Sequence, residues 1–166
     1  MFADVDIETG LISPDSIEKN ITEKTKAIML VHYAGMVCDM DRINELSKRH
    51  NIPVIEDAAH AFGAIYHDTM IGSCKFSDIT VLSFHPVKII TTAEGGMCLT
   101  NNENLYKLMR KFSTHGIEHN LDALENKDMP AYYYEMQDLG FNYRLSDLQA
   151  ALGISQLAKV DELLRK

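Results

Sequence analysis

A chain of 166 residues, 46% hydrophobic and 24% charged, has enough apolar material for one globular core. The formal net charge of -8, the sequence pI near 5.3 and the lack of a basic stripe argue against a nucleic-acid or membrane-surface partner. No apolar run reaches membrane-span length, and the acidic opening MFADVDIETG does not read as a signal peptide. Cys38, Cys74 and Cys98 are odd in number and widely spaced, so no disulfide framework is expected and a reducing cytoplasm is the expected compartment.

Taken in chain order, PDSIEKNI predicts a short helix with Ser13 at the N-cap and Pro14 at the first helical position. KAIMLVHYAG is a continuous apolar run ending at Gly35, the pattern of a strand buried on both faces. DMDRINELSKRHN places Met40, Ile43 and Leu46 at i, i+3, i+6, which predicts a helix with one buried stripe. IPVIEDAAHA reads as a second buried strand that ends in two carboxylates. SDITVLSFHP reads as a third, stopped by Pro86, and GGMCLTN as a fourth.

NENLYKLMRKFSTHG predicts a helix with Leu105, Leu108, Met109 and Phe112 on one face and Gly116 just past its end. The charged stretch from Ile117 to Leu139, with Pro130 and the run Tyr132, Tyr133, Tyr134, reads as a long surface loop. SDLQAALGISQLAKVDELL closes the chain as an amphipathic helix. Alternation of strand and helix predicts an α/β layer with a mainly parallel sheet. In such sheets ligands bind outside the carboxyl ends of the strands. That rule singles out Asp57, Ser83 and the segment from His85 to Lys88.

Several chemistries lack their fingerprints. There is no G-x-G-x-x-G, no G-x-x-x-x-G-K-[ST], no G-x-S-x-G elbow and no H-E-x-x-H. His115 and His119 are four apart, with an intervening glycine and no third ligand nearby, so they read as surface residues and no metal site is expected. What remains is a carboxylate, a lysine and a hydroxyl at neighbouring strand ends. Lysine amines form Schiff bases with aldehydes, and burial favours the neutral, nucleophilic amine. A pyridoxal phosphate site needs such a lysine, an acid for the pyridine nitrogen, and small hydroxyls or backbone N–H groups for the phosphate. Lys88, Asp57 and Ser83 match those tasks. Taken singly, each has a plainer reading: Asp57 as a turn or cap residue, Lys88 as a solvated loop lysine, Ser83 as no site at all.

VIEDAAHAFGA, SFHPVK, EGGMCLTN and GFNYRLSDLQAALGISQL, in that order, resemble the successive motifs of the DegT/DnrJ/EryC1/StrS family of sugar-nucleotide aminotransferases. The resemblance covers nearly the whole chain. It implies the central part of the large domain of the pyridoxal-phosphate-dependent transferase fold (aspartate aminotransferase, fold type I), a mainly parallel sheet with helices on both faces. HPVKIITTAEGGM and YYYEMQDLGFNYRLSD are most similar to the branch that serves pseudaminic acid synthesis. For that branch the expected substrates are L-glutamate and a UDP-linked 4-keto-6-deoxy sugar.

Carried over by motif, Lys88 is similar to the lysine that holds the cofactor and then shuttles a proton. Asp57 matches the partner of the pyridine nitrogen. His60 takes a place near the cofactor's phenolic oxygen, and Ser83 matches a phosphate contact. Asn142, in GFNYR, matches an asparagine that reaches the phosphate in the neighbouring subunit of a homodimer, although Asn-Tyr-Arg before a helix also reads as a simple cap. Family members are longer, so residues 1–166 are expected to form a partial cofactor-binding domain. By the same resemblance, the upstream phosphate-cradling helix start, the ring-stacking aromatic and the small C-terminal domain are expected to lie outside it. Two alternatives follow: a non-catalytic module that pairs with other chains, or an aminotransferase for a different nucleotide-linked keto sugar. A dehydratase of the same family, with histidine in place of the lysine, is disfavoured by Lys88.

Overall fold

The computed structural model describes residues 1–165. In chain order the elements are α1 (Pro14–Asn20), β1 (Ile28–Val31), a 3-10 turn (Tyr33–Gly35), α2 (Met40–His50), β2 (Val54–Asp57), β3 (Ile65–Tyr66), β4 (Thr69–Met70), β5 (Ile79–Ser83) and β6 (Gly96–Leu99). There follow α3 (Glu103–Ser113), β7 (Ile117–Glu118), a second 3-10 turn (Leu121–Ala123), β8 (Glu135–Met136), α4 (Asp147–Leu157) and α5 (Val160–Leu163). The chain divides into two compact units, one of Met1–Asn101 with the chain from Asp147 onward, the other of Asn102–Ser146. None of the helices is long and apolar enough to cross a membrane, among the described residues.

The first unit is built on a four-stranded sheet in the order β1-β2-β5-β6, with β1, β2 and β5 parallel and β6 antiparallel to β5. Local sequence explains the helices that pack on it. Ser13 caps α1 by accepting from the Ser16 N–H, with Pro14 just inside the helix. Asp39 does the same for α2 through the Arg42 N–H, and the predicted stripe of Met40, Ile43 and Leu46 is buried. These three join Ile17, Ile28, Leu30, Cys38 and Val54 in one apolar cluster. A second cluster holds Ala58, Ala61, Ile71, Leu82, Phe84 and Ile90, with Val160 and Leu163 of α5 packed against it.

Three sequence expectations need correction. β1 was expected to be buried on both faces, but its burial alternates: Ile28 and Leu30 are covered while Met29 and Val31 are 61% and 44% exposed. A run of apolar residues cannot by itself say how many layers cover a strand. The closing helix is not continuous: α4 ends at Leu157, α5 begins at Val160, and Leu148 and Ile154 of α4 are exposed. The third correction falls in the second unit. There the stretch from Ile117 to Leu139 is not wholly irregular, because β7 and β8 pair antiparallel across it and Leu124 is buried. The short hairpin β3–β4, turning at His67 with φ of 50°, was not foreseen either.

In the second unit α3 ends as expected near Gly116, whose φ of +70° favours glycine. The loop between β7 and β8 is tied by one carboxylate. Glu135 accepts from the backbone N–H groups of Glu125 (2.7 Å) and Asn126 (2.9 Å) and from the Asn126 side chain (2.7 Å). These bonds, that from Glu125 foremost, hold the Glu135 carboxyl down at about 2. A depressed folded-state pKa gives stabilisation that is present above the usual glutamate range and is lost as pH falls toward about 2. Acid titration is therefore expected to weaken protection of the Glu125 and Asn126 amides progressively as pH falls toward about 2, and amide exchange measured down that range checks it. Glu135→Ala, which removes both acceptor oxygens, should show fast exchange at both amides already at neutral pH.

Candidate active site

The parallel register brings the carboxyl ends of β1, β2 and β5 to one edge of the sheet. Val31 lies beside Asp57, and Asp57 beside Val81. Ser83 is two residues beyond Val81, so it shares the face of Asp57, one pleat repeat further along. That is the open face of the sheet, which also carries Met29 and Val31. The opposite face, carrying Leu30, Val54, Glu56, Thr80 and Leu82, is buried.

Asp57 is half-buried, and its Oδ1 accepts from the Ala59 N–H at 3.0 Å. Its Oδ2 has no partner among the described residues. Two bonds beyond the strand ends fix its backbone: the His32 N–H donates to the Asp57 carbonyl (3.0 Å) and the Ala58 N–H to the Val81 carbonyl (2.8 Å). The turn after β2 places His60, exposed, with its ring centroid 6.4 Å from that of Tyr33. The turns after β1 and β2 approach closely there. A Cβ on Gly35, whose φ is +86°, would lie 3.0 Å from the His60 carbonyl oxygen, so only glycine fits without displacement.

Lys88 sits on a closed loop. The Phe84 N–H donates to the Gly95 carbonyl (2.8 Å), and the Thr92 N–H and Thr91 hydroxyl both donate to the Phe84 carbonyl. Buried Ile90 anchors the loop, and the Lys88 N–H closes a tight turn on the His85 carbonyl (2.9 Å). The Lys88 side chain is half-buried and has no carboxylate within ion-pair distance among the described residues. Its amine is therefore not committed to a structural salt bridge. Ser83 Oγ accepts a long bond from the His85 N–H (3.4 Å), which ties the strand end to the lysine loop. Asp57, His60, Ser83 and Lys88 thus all follow or end adjacent parallel strands of one unit.

Asn142 belongs to the second unit. Phe141 and Tyr143 on either side are bonded by their N–H groups to the carbonyls of Phe112 and Ser113, and their exposed rings stack 4.8 Å apart. The Asn142 side chain is exposed between them. It has no hydrogen-bond partner among the described residues.

The strand-end chemistry suits pyridoxal phosphate: an acid with a spare oxygen and a hydroxyl share one open face, and a lysine not committed to an ion pair lies on the loop that follows. Sequence reasoning overlooked what lies beneath that edge. His32, fully buried, sets Nε2 2.8 Å from Glu56 Oε2, and the Thr80 hydroxyl donates to Glu56 Oε1 at 3.4 Å. The available signal was the tandem Glu56-Asp57, since strand alternation must bury one carboxylate when it exposes the other.

The model of the DegT/DnrJ/EryC1/StrS aminotransferase family matches residues 1–166. The protein MJ1066 of Methanocaldococcus jannaschii is 44% identical over all of this chain and 42% of its own. Among solved structures, the aminotransferase from Psychrobacter cryohalolentis is 42% identical with a TM-score of 0.86, over 98% of this chain and 40% of that one. PseC of Helicobacter pylori, an aminotransferase involved in the biosynthesis of pseudoaminic acid, is 36% identical with a TM-score of 0.85 over the same shares. The PLP-form of the sugar aminotransferase Spr1654 from Streptococcus pneumoniae is 31% identical with a TM-score of 0.81, over 98% of this chain and 43% of that one. The chain spans about two fifths of the length of these relatives. With its sheet, its strand-end residues and a family match from end to end, the chain belongs to the DegT/DnrJ/EryC1/StrS aminotransferases, a family that works with pyridoxal 5'-phosphate.

Proposed function

We propose that this chain carries the cofactor-holding part of an aminotransferase that moves an amino group from L-glutamate to C4 of a UDP-linked 4-keto-6-deoxy-N-acetylhexosamine. That is the reaction of UDP-4-amino-4,6-dideoxy-N-acetyl-β-L-altrosamine transaminase in pseudaminic acid synthesis. The observation that carries the reading is the single open edge where Asp57 and Ser83 share a face and Lys88 follows on a braced loop. The similarity to PseC supports the sugar assignment. The similarity to DesI, crystallised with its TDP-sugar product and 30% identical, keeps other nucleotide-linked sugars as the competing substrates.

When bound, the cofactor supplies an electron sink for the amino-bearing carbon. The rest falls to the chain. The Lys88 amine holds the cofactor covalently and, once displaced, carries a proton to or from that carbon. The Asp57 carboxylate keeps the ring nitrogen protonated. Ser83 donates to the phosphate, His60 lies by the phenolic oxygen, and Asn142 reaches the phosphate of the partner subunit in a homodimer.

Assay with glutamate and either a UDP- or a TDP-linked 4-keto sugar tests the substrate: faster transfer to the UDP sugar is expected, and preference for TDP overturns the pseudaminic assignment. Asp57→Ala is expected to lower transfer by about 10²-fold or more while part of the cofactor stays bound. Near-normal turnover would remove Asp57 from the site.

A second reading, a non-catalytic module that pairs with other chains, is favoured by the open sheet face with Met29 and Val31 exposed. The solution mass separates the readings when combined with the same assay. A self-associating chain that binds no cofactor supports pairing; a cofactor-loaded chain that turns over supports catalysis.

A further inference from the structure

β2 has the sequence Val-Ile-Glu-Asp: two apolar residues, then two acids. Shifted by one residue it presents almost the same pattern to each face. Its neighbours do little better, since β1 is Ile-Met-Leu-Val and β5 is Ile-Thr-Val-Leu-Ser. Register is normally set by alternation of apolar and polar positions, and a one-residue slip turns every side chain to the other face. Here such a slip would take Asp57 off the open face and put Glu56 in its place.

The buried side holds a device that reads this difference. His32 lies two residues beyond Leu30, the direct neighbour of Glu56, and so shares the covered face. Its Nδ1 accepts from the Cys38 N–H at 3.2 Å, so the ring's proton is on Nε2, which donates to Glu56 Oε2 at 2.8 Å. Thr80 on β5, the direct neighbour of Glu56 on its other side, donates to Oε1. Both carboxylate oxygens are thereby satisfied, one from the residue just past β1 and one from β5. The His32 backbone N–H donates meanwhile to the Asp57 carbonyl. Aspartate, one methylene shorter, would not span the same gap. A buried polar pair of this kind seldom stabilises more than an apolar pair of equal volume, and its best-attested use is to specify register.

We infer that His32, with Glu56 and Thr80, is a register lock that decides which of two adjacent carboxylates faces the open edge, and so is a positioning residue for Asp57. The lock is a property of the sheet; its consequence for the cofactor rests on the reading of Asp57 proposed above.

Amide exchange on the full chain tests the lock without cofactor. His32→Phe, which leaves Glu56 without its donor, is expected to speed exchange at positions 32 and 58 by at least about tenfold, with Ile43, whose N–H bonds to the Asp39 carbonyl within α2, unchanged. His32→Gln, whose amide nitrogen can replace Nε2, should stay within about threefold of the parent. Should His32→Phe not fold, Glu56→Asp decides through the same amides. Unchanged protection, or a uniform loss that includes Ile43, overturns the lock. Titration with pyridoxal phosphate, followed by cofactor fluorescence, then tests the consequence: binding about tenfold weaker in His32→Phe, and near normal in His32→Gln. Unaltered binding in His32→Phe, where Asp57→Ala weakens it, overturns the positioning role. A local change in exchange together with no effect of Asp57→Ala instead sinks the Asp57 assignment and leaves the lock standing.

Discussion

Borohydride treatment of the chain loaded with pyridoxal phosphate is expected to fix the pyridoxyl group on Lys88, and peptide mapping should find it there. The reason is local. Lys88 follows a strand end that carries Ser83, lies on a loop closed by the Phe84–Gly95 bond, and has no acid paired with it among the described residues. Lys75, by contrast, donates to the Thr69 hydroxyl and lies over the Phe76 ring on the other side of β5 in sequence. Lys88→Ala should abolish the adduct and lower any amino transfer by at least ~10²-fold, since both the covalent hold and the proton carrier are lost. Lys88→Arg should do no better, because guanidinium stays charged and does not act as a nucleophile at neutral pH. An adduct on Lys75, or an unchanged yield in Lys88→Ala, would sink the assignment.

The second large effect concerns stability and sets neighbours against each other. Leu30 and Met29 are adjacent in β1, yet Leu30 is 1% exposed within the main apolar cluster and Met29 is 61% exposed. Leu30→Ala is expected to cost ~2–5 kcal/mol, the transfer term plus the cavity left among packed neighbours. Met29→Ala should stay within ~0.5 kcal/mol, because water already reaches its side chain. Urea or thermal unfolding of the two variants measures the difference. Equal costs would mean that both faces of β1 are covered in solution, by a second copy or another chain, and would favour the pairing reading.

Parts of the site were legible because local rules govern them. Strand-end placement of Asp57 and Ser83 follows from apolar runs interrupted by acids and by Pro86, and the ligand edge follows from the parallel α/β pattern. The Met40, Ile43, Leu46 stripe was readable because a helix repeats its face every three to four residues regardless of what it packs on. The fourth strand was found, but its antiparallel direction was not foreseen, because direction is set by the path of the connecting chain and not by strand composition. Glu135 was invisible for a similar reason: its partners Glu125 and Asn126 lie nine and ten residues away, beyond the reach of any capping pattern.

By itself the sequence determined the cap at Ser13, the apolar stripe of α2, the positions of the four strands of the main sheet, and the set of groups suited to a pyridoxal phosphate site. It also determined family membership, through motifs that run the length of the chain. Only the tertiary structure decided that β1 is covered on one face, that Asp57 and Ser83 share the open face, and that His32 and Thr80 hold Glu56 beneath them. The physical reason is that Val-Ile-Glu-Asp carries no alternation of its own. Which acid is buried and which faces the edge depends on hydrogen bonds from the turn after β1 and from β5, and those meet only once the sheet has formed.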